Sequence, residues 1–263
     1  MTNLADQTIA ALRSGHDDLA AYVEPLDAQA LTGPSGASEW DVSHVLSHLG
    51  SGAEIGLAGL EAALTGAGAP GGDFNKGVWA RWDAMSAIEH RDGFLAANQR
   101  LVERFEGLDG PTRERLRVDL VFLPAPISVG EAARFRLVEF AFHAWDVRVG
   151  ADDSATLAPA AVPLLLDGVG PLLGFVGKAD ALGGRRVTLA VDLTDVRRSY
   201  GLEIGDAVAL TDRPAQPDGG LAAPAEAWLR LTAGRLPAKW TPPGLEVTGP
   251  VTLDDLRRVF PGF

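Results

Sequence analysis

Apolar residues recur at helical spacing along the first 150 positions. Leu4, Ile9, Leu12, Leu19 and Val23 lie three to seven apart, which predicts one amphipathic helix over residues 4–23. Val42, Val45, Leu46 and Leu49 form the stripe of a second helix. Ser38 with Asp41 three positions on reads as its capping box, and the Gly/Ala/Pro-rich segment 65–72 ends it as a loop. Residues 77–107 read as a third, long helix bent at Gly93. Residues 109–127 hold three prolines and read as a loop. Ser128 and Glu131 form a capping box for a fourth helix that runs to about Val149 and stops at Gly150. Its apolar stripe is Phe135, Val138, Phe142, Trp145 and Val149. Four such helices predict a four-helix bundle.

The pattern changes after a polar linker at 151–157. Residues 159–177 read as a helix. Arg186–Leu193 alternates as a strand does, and Tyr200–Leu210 is a second strand. Residues 225–235 read as a helix, 245–247 as a short strand, and 253–260 as a last helix capped by Thr252. The mixture predicts a small α+β domain, so the chain divides into 1–150 and 158–263. No internal repeat is visible.

Composition removes several function classes. The net charge of -12, without a basic run, argues against nucleic acid and an anionic membrane surface. With no cysteine, a disulfide, a Cys-rich zinc site and a protein thiol nucleophile are all impossible. Any thiol chemistry must use an external thiol. The opening residues carry no charged-then-apolar leader, and the most apolar stretch, 156–177, is broken by Asp167, three prolines and several glycines. A cytoplasmic protein, a monomer or small homo-oligomer, is the expectation. The Ala, Gly, Asp and Arg bias points to a high-GC, actinobacterial type of source.

Candidate chemistry lies along one border of the fourth helix. Arg136, Glu139, His143 and Asp146 cluster there, and Glu139 and His143 stand one turn apart. His48 borders the stripe of the second helix, with His44 and Asp41 at successive earlier turns. One histidine from that helix plus Glu139 and His143 gives two imidazoles and a carboxylate, a set that suits zinc with one position open. Iron(II) sites use the same set, so another divalent metal fits equally. A Glu-x-x-x-His pair is also common on solvated helix faces. Asp146 reads either as an orienting partner for a ligand imidazole or as a surface ion-pair residue. Arg136 reads as a surface arginine or, less readily, as a partner of Glu139 or of a substrate carboxylate, and His44 as a solvated residue or, less readily, as a general base or a support for the ligands; His16 and His90 read as surface residues. Trp40, Trp79, Trp82 and Trp145 read as core, with Trp40 and Trp145, which flank the metal motifs, also candidates for an apolar wall of the site.

The words around these residues carry a resemblance. Ser-Glu-Trp-Asp-Val-Ser-His-Val-Leu-Ser-His-Leu (38–49) and Arg-Leu-Val-Glu-Phe-Ala-Phe-His-Ala-Trp-Asp-Val (136–147) resemble two helix motifs of the mycothiol-dependent maleylpyruvate isomerase family, a branch of the DinB-like superfamily. Ala-Trp-Leu-Arg-Leu-Thr-Ala-Gly-Arg (227–235) is similar to the signature of that family's C-terminal domain. The resemblance implies a DinB-like bundle followed by a sterol-carrier-like α+β domain. It makes His48, Glu139 and His143 the metal ligands, mycothiol the thiol cosubstrate, and Arg235, with Arg230 as fallback, a cofactor-binding and catalytic arginine. The implied activity is that of an isomerase or S-transferase in which zinc activates the thiolate for attack on a small electrophile, with Asp146 in support. A metal-dependent hydrolase needing no thiol, and a non-catalytic metal or small-ligand binding protein, are the rival readings.

Overall fold

The computed structural model describes residues 4–262. Helices fill the first part of the chain: α1 (Leu4–Val23), α2 (Ala28–Leu31), α3 (Val42–Thr65), α4 (Gly72–Asp83), α5 (Ala87–Glu106), α6 (Gly110–Arg115) and α7 (Val129–Val149). Two short strands, β1 (Arg117–Val118) and β2 (Ile127–Ser128), pair antiparallel just before α7. The long helices α1, α3, α5 and α7 pack on one another around a core that includes Leu12, Leu46, Leu49, Phe94, Leu101, Phe140 and Trp145.

Three boundaries differ from the sequence expectations. The cap of α3 is Asp41, whose carboxylate accepts from the His44 N–H, and not Ser38. The third helix is two helices. Ser86 caps α5 in a full capping box with Glu89, which breaks the chain at residues 84–86. Gly93 does not bend α5. A Cβ at Gly93 or at Gly50 of α3 would lie 2.9 or 2.1 Å from the Trp82 ring, so the two glycines make the slot that Trp82 fills. The proline loop at 109–127 contains α6, capped by Asp109 with Pro111 in its first turn.

The chain forms two compact units, one ending at Ala161 and the other beginning at Val162. Residues 151–161 pack with the first. The Trp145 indole N–H donates to the Ala155 carbonyl at 2.8 Å, and Leu157 and Ala161 are buried.

The second unit holds α8 (Val162–Leu166), α9 (Val169–Val176), β3 (Val187–Leu193), β4 (Ser199–Ile204), β5 (Val208–Thr211), β6 (Gly219–Ala223), α10 (Ala225–Thr232), β7 (Glu246–Thr248) and α11 (Leu253–Val259). Its sheet order is β5-β4-β3-β6-β7, with β3 and β6 parallel and every other pair antiparallel. Asp167 and Gly168 divide the segment expected as one helix into α8 and α9. The strand expected at 200–210 is the hairpin of β4 and β5. The strand β6 is not expected from the sequence, because Gly-Gly-Leu-Ala-Ala has no β-branched or aromatic residue; pairing with the buried β3 places it. No helix among the described residues is long and apolar enough to cross a membrane.

Candidate metal centre

Helix α7 presents Arg136, Glu139, His143 and Asp146 at successive turns toward α3, which carries His48. The ligand atoms of His48, Glu139 and His143 all lie within 4.8 Å of one another. His48 Nε2 lies 3.1 Å and His143 Nε2 3.8 Å from Glu139 Oε2, and the two imidazole centroids are 4.6 Å apart. Two ligands each bonded at ~2.0–2.1 Å to a tetrahedral zinc stand ~3.3 Å apart, so the observed separations bracket what one ion needs. The donor set is also the one zinc takes when a coordination position stays open. Site and ion therefore fit.

The three groups differ in exposure. His143 is 7% exposed, while His48 and Glu139 are 39% and 40% exposed, so the cluster has a buried floor and a solvent side. Burial pushes the Glu139 carboxyl up, but the His48 hydrogen bond and the charges of His143, His48 and Arg136 outweigh it and hold Glu139 below the usual carboxylate range. Glu139 is thus kept in the ionised form that a metal ligand requires.

Asp146 is fully buried, and its Oδ2 accepts from His143 Nδ1 at 2.9 Å. In the neutral ring this leaves the lone pair on Nε2, the atom nearest Glu139. The loop 33–41 is pinned to the same place. The Gly36 N–H donates to the Asp146 carbonyl at 2.8 Å, and a Cβ at Gly36 would meet Asp146 and Val149 at 2.8 Å. That close approach lays the Trp40 ring beside His48 and His143, with centroids 5.3 and 6.1 Å away. Trp40 remains 39% exposed and gives the solvent side an apolar wall. It is not core, nor is Trp79, which is 48% exposed.

Other sequence expectations fall differently. His44 is exposed, with Nδ1 2.7 Å from Asp41. His16 and His90, expected at the surface, are both buried. His16 Nδ1 accepts from Asn98 Nδ2 at 3.0 Å, and His90 donates from Nε2 to the Trp82 carbonyl at 2.8 Å. Arg136, also expected at the surface, turns its guanidinium inward to the Leu49 carbonyl and Asn98 Oδ1, both at 2.7 Å. Burial lowers its pKa to about 10, with the Glu139 charge opposing that shift. In the second unit, Arg230 is buried and forks onto both oxygens of Glu226, at 2.7 and 2.9 Å. Arg235 is buried too, and its Nη1 donates to the Ala233 carbonyl.

A family model described as the mycothiol maleylpyruvate isomerase N-terminal domain matches residues 12–148, a span that holds every residue of the cluster. The chain belongs to this family. The crystal structure of the mycothiol-dependent maleylpyruvate isomerase, and that of a histidine-to-alanine mutant of it, superpose with a TM-score of 0.67. Each match is 15% identical and covers 96% of this chain and 98% of the other, which shows a shared fold over nearly the whole chain. No curated protein matches the sequence.

Proposed function

We propose that this family member is a metal-dependent enzyme that uses mycothiol as its thiol cosubstrate and acts as an isomerase or S-transferase on a small electrophile. The observation that carries the reading is the convergence of His48, Glu139 and His143 in a chain of the mycothiol maleylpyruvate isomerase family. Under this reading residues 1–150 are a DinB-like metal-binding bundle and 158–263 a sterol-carrier-like domain.

His48, Glu139 and His143 hold one divalent cation, zinc by its donor set. The chemistry such a cation supplies is stabilisation of a thiol in its nucleophilic thiolate form. With no cysteine in the chain, that thiol comes from outside. Asp146 keeps the His143 ring in the tautomer and orientation that point Nε2 at the ion. Trp40 excludes water from one side of the open face. Arg235 recognises a carboxylate of the thiol or the substrate.

The test is metal analysis of untagged wild type and His48→Ala, followed by calorimetric titration with mycothiol. The reading expects near-stoichiometric zinc in the wild type, none in the variant, and thiol binding that needs the metal and weakens in Arg235→Ala. Turnover of esters or amides without added thiol would favour the hydrolase. Metal without thiol binding or turnover would favour the binding protein.

A further inference from the structure

The half-buried arginine beside the cluster, its guanidinium turned inward, is more than the site's first reading requires. Arg136 stands one turn before Glu139 on α7. Its Nη2 donates to the carbonyl of Leu49, the residue after His48 on α3, and to Asn98 Oδ1 on α5. Asn98 in turn donates from Nδ2 to His16 on α1. One chain of hydrogen bonds therefore crosses all four long helices and ends beside two of the three clustered groups. Gly52 of α3 leaves room for the guanidinium, since a Cβ there would lie 3.2 Å from Nη1.

Packing alone does not call for this side chain. An apolar residue of similar volume fills such space at lower cost, because an interior guanidinium loses its hydration. The partners of Nη2 are neutral, and Nε is buried with no hydrogen-bond partner among the described residues. The charge that favours the guanidinium is that of Glu139. The ligand histidine comes from α3 and the other two ligands from α7, so the spacing of the donor set depends on how these two helices are held.

We propose that Arg136 is a positioning residue for the metal cluster: it ties the α3 backbone beside His48 to α7 beside Glu139, and so sets the ligand spacing between the two helices. The proposal rests on the metal-binding reading above. It assigns Arg136 no contact with thiol or substrate.

The test uses the full chain stripped of metal, with zinc affinity read by chelator competition and site geometry by the visible spectrum of cobalt(II) as a substitute ion. Partners that orient ligands are worth 10–100-fold in metal affinity, so Arg136→Met is expected to lose about that much and to shift the cobalt bands. Arg136→Lys keeps the charge without the fork and is expected to recover part of the loss. Asn98→Ala, which removes one acceptor and keeps the arginine, is expected to weaken zinc several-fold and serves where Arg136→Met does not fold. Folded variants with wild-type zinc affinity and an unchanged cobalt spectrum would overturn the proposal while leaving the metal reading intact. Wild type that takes up neither zinc nor cobalt would sink both.

Discussion

Helices α1, α3, α5 and α7 carry two kinds of buried imidazole. His143 with its neighbour His48 faces Glu139, and its ring is backed by Asp146. His16 and His90 are buried as deeply, but each ring meets neutral partners: Asn98 for His16, and the Trp82 carbonyl and Ser43 for His90. His143 shares its burial with His16 and His90, while His48 is half-buried. Convergence on a carboxylate and a solvent side belong to the first alone, and those features mark it as the candidate metal centre against a hydrogen-bonded core. The neutral partners satisfy His16 and His90 without needing charge, whereas Nε2 of His48 and of His143 both lie within 4 Å of the same carboxylate oxygen of Glu139.

The sharpest way to break this comparison is to delete a ligand. His143→Ala is expected to lose zinc by more than about 100-fold, since supporting partners by themselves cost 10–100-fold. Chelator competition reads the loss. Wild-type affinity in His143→Ala would falsify the assignment of the cluster. Next comes Asp146→Asn, which keeps shape and burial but replaces the acceptor for His143 Nδ1. Here zinc affinity should fall about 10–100-fold with the fold intact. A drop in stability with unchanged affinity would make Asp146 a helix-packing residue only.

The control comes from the other set. His90→Phe fills the same space but removes the imidazole donor from the Trp82 carbonyl, which keeps the Met85 N–H. It should cost about 0.5–1.5 kcal/mol of stability and leave zinc affinity as it was. Chemical unfolding of the apo-protein and chelator competition measure the two halves separately. If zinc affinity falls with stability, the two sets are not independent.

Much of this was readable before any coordinates. The bounds of α7 follow from the Ser128–Glu131 capping box and Gly150, and the structure has both features where they were expected. The same kind of signal stands at Ser86 and Glu89, but inside a 77–107 apolar pattern that reads as continuous. His16 shows a different failure. It sits four after Leu12 and three before Leu19, on the buried stripe of α1, and His90 holds the same place four before Phe94. Both positions were legible as core once the stripe was allowed to contain a histidine. Their partners were not, because Asn98 lies 82 residues from His16 and the relevant group of Trp82 is a backbone carbonyl. Arg136 is hard to place from the sequence for a related reason. Helix α7 is buried on most sides, so the polar border drawn from its stripe is not a solvent face, and the stripe's own Phe135 is 39% exposed.

The smallest effect expected is a pH dependence confined to His16. Its pKa in the folded protein is lowered, first by burial and then by the nearby Arg13 charge, against the opposing pull of Asp17. In the unfolded chain the ring returns to about 6.5. Above that pH both states hold it neutral, and its contribution to stability is fully present. Below it the unfolded chain takes a proton that the core refuses, so stability falls as pH drops toward the folded-state pKa. From pH 7.5 to 5.5 the loss from this one group reaches at most about 1.4 kcal/mol. His16→Gln retains an acceptor for Asn98 and removes the titration. The other four histidines are common to both proteins, so the difference between the two urea-unfolding profiles of the apo-protein isolates His16. Wild type should lose more stability than His16→Gln over this window. Parallel profiles would mean that the core accommodates the imidazolium, and that the two kinds of histidine differ less than their partners indicate.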